Sequence, residues 1–205
     1  TESMNKLTRP NFQATLQAMQ ICHKAHLRWG LNILVTQQNL PHLEELLRLA
    51  QHTQAYSVNL LRPKPSLFDS QWLAHVLPTS TDNKALQKIL QQWQRKASFL
   101  LTTDASLTFL HATSPKSLQQ NGLTGCPAGR RMVSIFPNGN IQPCSHVSFA
   151  DALDGDFIQA WQTSETLQRF RELEDTLQGL CQTCALKSHC RGCRAIVLHQ
   201  SQNFD

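Results

Sequence analysis

Cys181-Gln182-Thr183-Cys184-Ala185-Leu186-Lys187-Ser188-His189-Cys190-Arg191-Gly192-Cys193 holds two Cys-x2-Cys pairs separated by five residues. This spacing lets two thiolates from one turn reach a single metal centre, and Gly192 permits the tight turn that requires. One such pair would leave a redox dithiol open; two pairs this close point to metal. The stretch is also too dense in cysteine and turn residues to supply a large apolar core. Something other than apolar packing is therefore expected to hold it.

The rest of the 205-residue chain fits that reading. Seven cysteines are present, six of them between Cys126 and Cys193, with Cys22 alone. An odd, lopsided count argues against a disulfide scaffold. The first residues, Thr1-Glu2-Ser3-Met4, show no basic segment followed by an apolar one, so no secretory signal is expected. A reducing, cytoplasmic setting and metal ligation follow as expectations. No run approaches the roughly 18 apolar residues of a membrane span. A net charge of +5 with 16% charged residues is too weak and dispersed to argue for nucleic acid.

The metal is less determined by spacing alone. Four thiolates suit one tetrahedral zinc, and iron–sulfur clusters are held by cysteines at similar spacings. Cys126 and Cys144 would be surplus to one zinc site, whereas six cysteines supply three ligands to each of two clusters. Thiolate-ligated clusters are anionic, and Arg130, Arg131, Lys187, His189, Arg191 and Arg194 lie beside these cysteines in sequence.

Between the cysteines, apolar runs over 132–136 and 140–142 flank Asn138-Gly139, a hairpin signal. A two-residue loop would face Pro137 with Asn140 and bring Cys144 opposite Val133, back toward Cys126. A helix over 156–173 is predicted to bury Phe157, Ile158, Trp161, Leu167 and Phe170.

The first half alternates helix and strand. Phe12, Leu16, Met19 and Cys22 share a helical face, with Pro10 near the first turn, which makes Cys22 a core thiol. A strand over 31–35 contains Asn32. A helix opened by Asn39-Leu40-Pro41 buries Leu43, Leu46, Leu47 and Ala50, and a second strand spans 57–61. Strand, helix and strand in about 30 residues form a βαβ unit with parallel pairing. Beyond it are a helix over 67–76, a helix over 83–97 with Asp82 as cap and Leu86, Ile89, Leu90 and Trp93 inward, and one or two strands over 99–110. Trp72 and Trp93 are expected in the core, and 112–124 reads as a linker.

Cys126, twelve residues, Gly139, four residues, Cys144, then Cys181-x2-Cys184-x5-Cys190-x2-Cys193 resembles the SPASM domain of radical S-adenosylmethionine (SAM) enzymes. The stretch 135–144 is similar to that family's hairpin, and 157–171 to its tryptophan-bearing helix. Residues 1–110 more loosely resemble the second half of the radical SAM barrel. The resemblance implies two auxiliary [4Fe–4S] clusters, with Cys126, Cys144 and Cys193 at the first and Cys181, Cys184 and Cys190 at the second. The final spacing is x2 where the family has x3, and no closing cysteine follows Cys193. The fourth position of the first cluster is left open or to a group such as His146; His199 is the other histidine near the cysteines. The catalytic Cys-x3-Cys-x2-Cys is absent from these residues.

The expected architecture is α/β. Residues 1–115 would form the C-terminal half of a partial (β/α)6 TIM-like barrel, and 116–205 a small cysteine-rich α+β SPASM domain. The resemblance implies a peptide- or protein-modifying maturase, an oxidoreductase whose catalytic cluster and SAM belong to the full-length parent, this chain alone being inactive. It also implies a ribosomally made precursor peptide as substrate and a reducing electron donor. Asn32 and Arg62, at barrel-strand positions, are the candidate residues for SAM or substrate. The alternative is a non-catalytic module for peptide recognition or zinc binding through the Cys-x2-Cys pairs, with no membrane or nucleic-acid partner in either case.

Overall fold

A computed structural model describes residues 11–65, 71–111, 114–120, 122–147, 151–152 and 156–201. The expectations for Thr1 to Met4, Pro10, the 67–70 portion of a helix and residues 112–113 and 121 of the linker lie outside these described residues. The chain divides into two compact units, Thr1–Pro63 with His75–Asp104, and Lys64–Ala74 with Ala105–Asp205.

In the first unit, helix α1 (Phe12–Lys24) precedes strand β1 (Gly30–Leu34). A short 3-10 turn and helix α2 (Leu43–His52) lead to β2 (Ser57–Leu61). After helix α3 (Gln71–Val76), helix α4 (Ser80–Lys96) leads to β3 (Leu100–Thr103). The strands form one parallel sheet in the order β1-β2-β3. Parallel neighbours need long crossovers, and α2 lies between β1 and β2 in sequence as the alternating pattern requires.

Side chains alternate across the sheet. Ile33, Val58, Leu60 and Leu101 fall on one face and are buried, as are Leu43, Leu47 and Ala50 of α2 and Leu86, Leu90 and Trp93 of α4. The opposite face carries Asn32, Asn59 and Thr102 in one register row. Thr102 Oγ1 donates to Asn59 Oδ1 at 3.2 Å, and Asn59 Nδ2 to Asn32 Oδ1 at 3.4 Å.

Several expectations need correction here. The cap of α4 is Thr79, not Asp82: Asp82 accepts from the Thr79 backbone N–H at 2.8 Å while its own N–H donates to Thr79 Oγ1, a reciprocal capping box. Beyond β3 the chain turns into a 3-10 segment, Ala105–His111, where a second strand was in view. Cys22 is half-buried and Met19 takes the buried position on α1, so Cys22 is not a core thiol. Trp93 is buried and stacks on Phe99 with centroids 6.2 Å apart, but Trp72 is 36% exposed.

The second unit contains helix α5 (Pro115–Gln120) inside the stretch read as a linker, anchored by the fully buried Leu118. Strands β4 (Ser134–Ile135), β5 (Asn140–Gln142) and β6 (Asp151–Ala152) form an antiparallel sheet in that order. The hairpin register differs by one residue from the expected one. Ser134 faces Gln142 and Ile135 faces Ile141, and Phe136 N–H donates to Asn140 O at 2.9 Å. The loop is thus Pro137-Asn138-Gly139, closed by Gly139 N–H to Phe136 O, with Gly139 at φ +81. Pro137 occupies the second position of a turn that wants its φ, and glycine takes the left-handed position that ends a three-residue loop.

The single helix expected over 156–173 is three: α6 (Phe157–Thr163), α7 (Glu165–Arg171) and α8 (Leu173–Thr176). Ser164 ends α6 and caps α7 by accepting the Leu167 N–H at 3.1 Å. The break rotates the faces, so Leu167 and Phe170 are buried while Phe157 and Ile158 are exposed and Trp161 is half-buried. A 3-10 turn (Gly179–Cys181), α9 (Lys187–Cys190) and α10 (Arg194–Ser201) complete the described chain.

Replacing Thr79 by Ala removes the side-chain half of the capping box, the bond from the Asp82 N–H to Thr79 Oγ1, and is expected to cost about 1 kcal/mol. Thr79→Ser should retain most of it. Urea unfolding of the two variants against wild type checks this.

Candidate metal centre

All seven cysteines carry free thiols. The six between 126 and 193 come from four short segments, and each segment presents sulfur by the same local device. A backbone N–H two residues onward donates to the sulfur: Ala128 to Cys126, His146 to Cys144, Leu186 to Cys184 and Gly192 to Cys190. Such donors favour the thiolate over the thiol, which is the form that binds metal.

By electrostatic neighbourhood the cysteines fall into two groups. Cys126, Cys144 and Cys193 lie within electrostatic reach of one another, and Cys190 lies within reach of Cys181 and Cys184. Members of a Cys-x2-Cys pair are parted at the second pair. Cys190 ends α9, Arg191 and Gly192 both adopt left-handed backbone at φ +58 and +62, and Cys193 emerges on a new course at the start of α10. The four sulfurs of the two pairs therefore do not make one tetrahedron, as the single-zinc alternative requires. Among the described residues no three His, Cys, Asp or Glu side chains are arranged to share one metal ion. His146 and His199 are half-buried, and His146 enters the site through its backbone N–H.

Glycine makes the approach of the segments possible. Gly125 has φ +59, and a Cβ there would collide with the carbonyl oxygens of His189 and Cys190. Cys126 is thereby held beside α9, which carries a cysteine of the other set. The loop after Cys126 is fastened by two arginines. Arg130 pairs with Glu174 at 2.6 Å and donates to Arg171 O at 2.9 Å. Arg171 returns a bond to Gly129 O at 3.0 Å and lies 4.5 Å from the Trp161 ring centre. A cavity of about 240 Å³ opens against Cys126, lined also by Thr124, Pro127, Arg130, Arg131 and His189.

Charge fits an anionic occupant. Burial pushes the Cys126, Cys144 and Cys190 thiols up, and the neighbouring cysteines of each set add to this. Arg191 is only 2% exposed and its Nε and Nη2 find no hydrogen-bond partner among the described residues. Burial and the nearby Arg130 bring its guanidinium down to about 10. Arg194, equally buried, donates to Cys181 Sγ at 3.7 Å. Burial makes a cation depend on nearby negative charge, which Glu174 supplies to Arg191 and which thiolate-ligated iron–sulfur clusters would add to. Thiol number, N–H donors and buried guanidinium groups thus suit one cluster at each set.

Residues 126–185 match the family SPASM, an iron–sulfur cluster-binding domain. The match covers less than a third of the chain. Over 198 residues the chain is 22% identical to an AdoMet-dependent heme synthase of Oleidesulfovibrio alaskensis, covering 90% of this chain and 50% of that protein. Over 169 residues it is 29% identical to the mycofactocin maturase MftC of Mycolicibacterium smegmatis, covering 79% and 41%. The chain thus spans about half the length of the curated relatives it matches. In fold it is similar to Streptococcus suis SuiB bound to S-adenosylmethionine (TM-score 0.62, 16% identity, 94% of this chain and 46% of SuiB). SuiB bound to its precursor peptide SuiA gives a TM-score of 0.60 at 16% identity, over 94% of this chain and 46% of SuiB. The chain is similar to a portion of each of these proteins. Among the described residues no helix is long and apolar enough to cross a membrane.

The other candidate residues sit in the first unit. Asn32 is the exposed member of the polar row of the parallel sheet, Asn59 and Thr102 being half-buried. Arg62 follows β2, and its backbone N–H donates to Asp104 Oδ2 at 3.0 Å. Asn59 and Thr102 were not singled out from sequence. Their signal was the polar member of an otherwise apolar strand, which Asn32 displays in the same way.

In metal-free protein the raised thiols carry a pH signature. A thiol whose folded pKa lies above its unfolded value of about 8.5 adds stability below that value and loses it as pH rises through the folded pKa. Metal-free protein should therefore grow less stable above about pH 8.5. At pH 8 its Cys126, Cys144 and Cys190 should react with iodoacetamide more slowly than a free thiol. Peptide mapping after timed alkylation measures this.

Proposed function

We propose that these residues belong to a radical SAM–SPASM enzyme that modifies a peptide or protein, with one auxiliary [4Fe–4S] cluster held at each thiol set. The observation that carries the reading is the division of six thiols into two sets, four of the sulfurs accepting a backbone N–H. Cys126, Cys144 and Cys193 would hold the first cluster, and Cys181, Cys184 and Cys190 the second. When bound, such clusters supply one-electron chemistry and, where an iron position is open, a point of attachment for substrate.

The chain's own residues define the surroundings. Arg130, Arg171 and Glu174 hold the loop that presents Cys126, and the cavity beside it admits a polar group to the first set. On the parallel sheet, Asn32 with Asn59 and Thr102, and Arg62 at the end of β2, would face SAM or substrate. This follows the rule that polar groups toward the C-terminal ends of barrel strands line the active site. A peptide substrate is supported by the relatives named as maturases and by the fold shared with SuiB, which has been seen with a precursor peptide. An external reductant and a reducing, cytoplasmic setting complete the proposal, since the thiolates must stay free of disulfide exchange.

Anaerobic reconstitution of the full natural chain tests it. Cys144→Ala and Cys184→Ala should each lose about 4 iron atoms, one cluster's worth, together with the matching sulfide. Unchanged iron in the Cys144 variant, or a colourless wild type binding one zinc, overturns the assignment.

A further inference from the structure

The two buried arginines next to the last cysteines are arranged crosswise. Arg191 follows Cys190 of one set in sequence, yet its Nη1 donates to the Cys126 carbonyl of the other set at 3.4 Å. Arg194 follows Cys193 of the first set, yet its Nη2 donates to Cys181 Sγ of the second at 3.7 Å. Each guanidinium thus leaves its neighbour in sequence and serves the opposite thiols. Both side chains are 2% exposed, so each guanidinium is held by specific protein partners rather than by solvent.

The backbone adds an independent sign. Arg191 adopts φ +58, a conformation in which glycine is at ease and a long side chain is strained. Arginine at a position that glycine would fill without strain indicates that the guanidinium itself is needed there. Gly192 works to the same end for Arg194, since a Cβ at 192 would collide with Arg194 Nη2.

We propose that Arg191 and Arg194 are positioning residues that set the reduction potentials of the two clusters separately and crosswise, Arg191 for the Cys126/Cys144/Cys193 cluster and Arg194 for the Cys181/Cys184/Cys190 cluster. The proposal rests on the two-cluster reading above. A fixed positive charge stabilises the reduced, more negative state of a nearby cluster and so raises its potential. Hydrogen bonds to ligand sulfurs act in the same direction.

The test is a redox titration followed by electron paramagnetic resonance on the reconstituted full natural chain. Wild type, R191M, R191G, R194M and the charge-retaining R191K and R194K are compared, with iron and sulfide counted in each. The cluster behind each signal is identified by its loss in Cys144→Ala or Cys184→Ala. R191M and R191G should move only the first cluster to more negative potential, and R194M only the second, with the lysine variants restoring most of each shift. R191G also relieves the backbone strain, so a purely structural role for Arg191 would leave its potential unmoved. Equal shifts of both clusters, no shift, or shifts of the cluster adjacent in sequence overturn the crosswise assignment. So does a loss of iron that lysine fails to restore. A wild type with fewer than two auxiliary clusters instead overturns the two-cluster reading, and is recognised by the iron count before any arginine variant is compared.

Discussion

The second unit is organised around six cysteine sulfurs carried on four short segments, among which the buried apolar side chains are few and scattered, such as Ile141, Val147 and Ile196. Leu180, the residue before Cys181, is 95% exposed, and the buried residues from 190 onward include two arginines and a cysteine. Backbone geometry does the positioning that a core would otherwise do. N–H donors two residues along aim the sulfurs, and glycines at 125 and 192 let segments pass closer than any Cβ would allow. In such a segment the free energy of binding a metal group becomes free energy of folding, because the unfolded chain has no preformed site. The larger apolar contribution comes from Leu118, Leu167, Phe170 and Leu173, all fully buried.

The first unit solves a different problem by ordinary means. Its parallel strands are apolar toward the helices, and on the other face, between Leu34 and Leu61 at one end and Leu100 at the other, register aligns Asn32, Asn59 and Thr102 into one hydrogen-bonded row. A sheet with amides and hydroxyls in line offers donors and acceptors to a polar ligand without the cost of burying a charge. The two units thus contribute different chemistries, neutral hydrogen bonding from one and thiolate with guanidinium from the other.

Much of this was legible because the relevant signals are local. The strand over 57–61 and the helix after Pro41 follow from apolar spacing, and the metal character follows from cysteine spacing. What was not legible depended on which of two local signals wins. Asn138-Gly139 suggested a two-residue loop, but that loop needs positive φ at both positions, and Pro137 instead starts a turn in which Gly139 alone takes it. The apolar pattern over 156–173 suggested one helix, but Ser164 ends one and caps the next, turning Phe157 and Ile158 outward. Thr79 was passed over for Asp82 although the two form a single box. Asn59 and Thr102 acquire meaning only through register, which a single strand does not reveal.

The division of the second Cys-x2-Cys pair is the instructive case. Spacing alone would keep Cys190 and Cys193 on one centre, since two intervening residues suffice for two thiolates to meet. They part because both intervening residues are left-handed, which reverses the chain before α10 begins. This also bears on the one-residue difference from the x3 spacing of the SPASM pattern. A longer link would reach the neighbouring set through ordinary backbone; a shorter one has to turn more sharply for each residue. Gly192 accommodates that turn freely, and Arg191 does so under strain. The shortened link therefore keeps Cys193 within electrostatic reach of Cys126 and Cys144, and the same turn buries the Arg191 side chain against the Cys126 carbonyl.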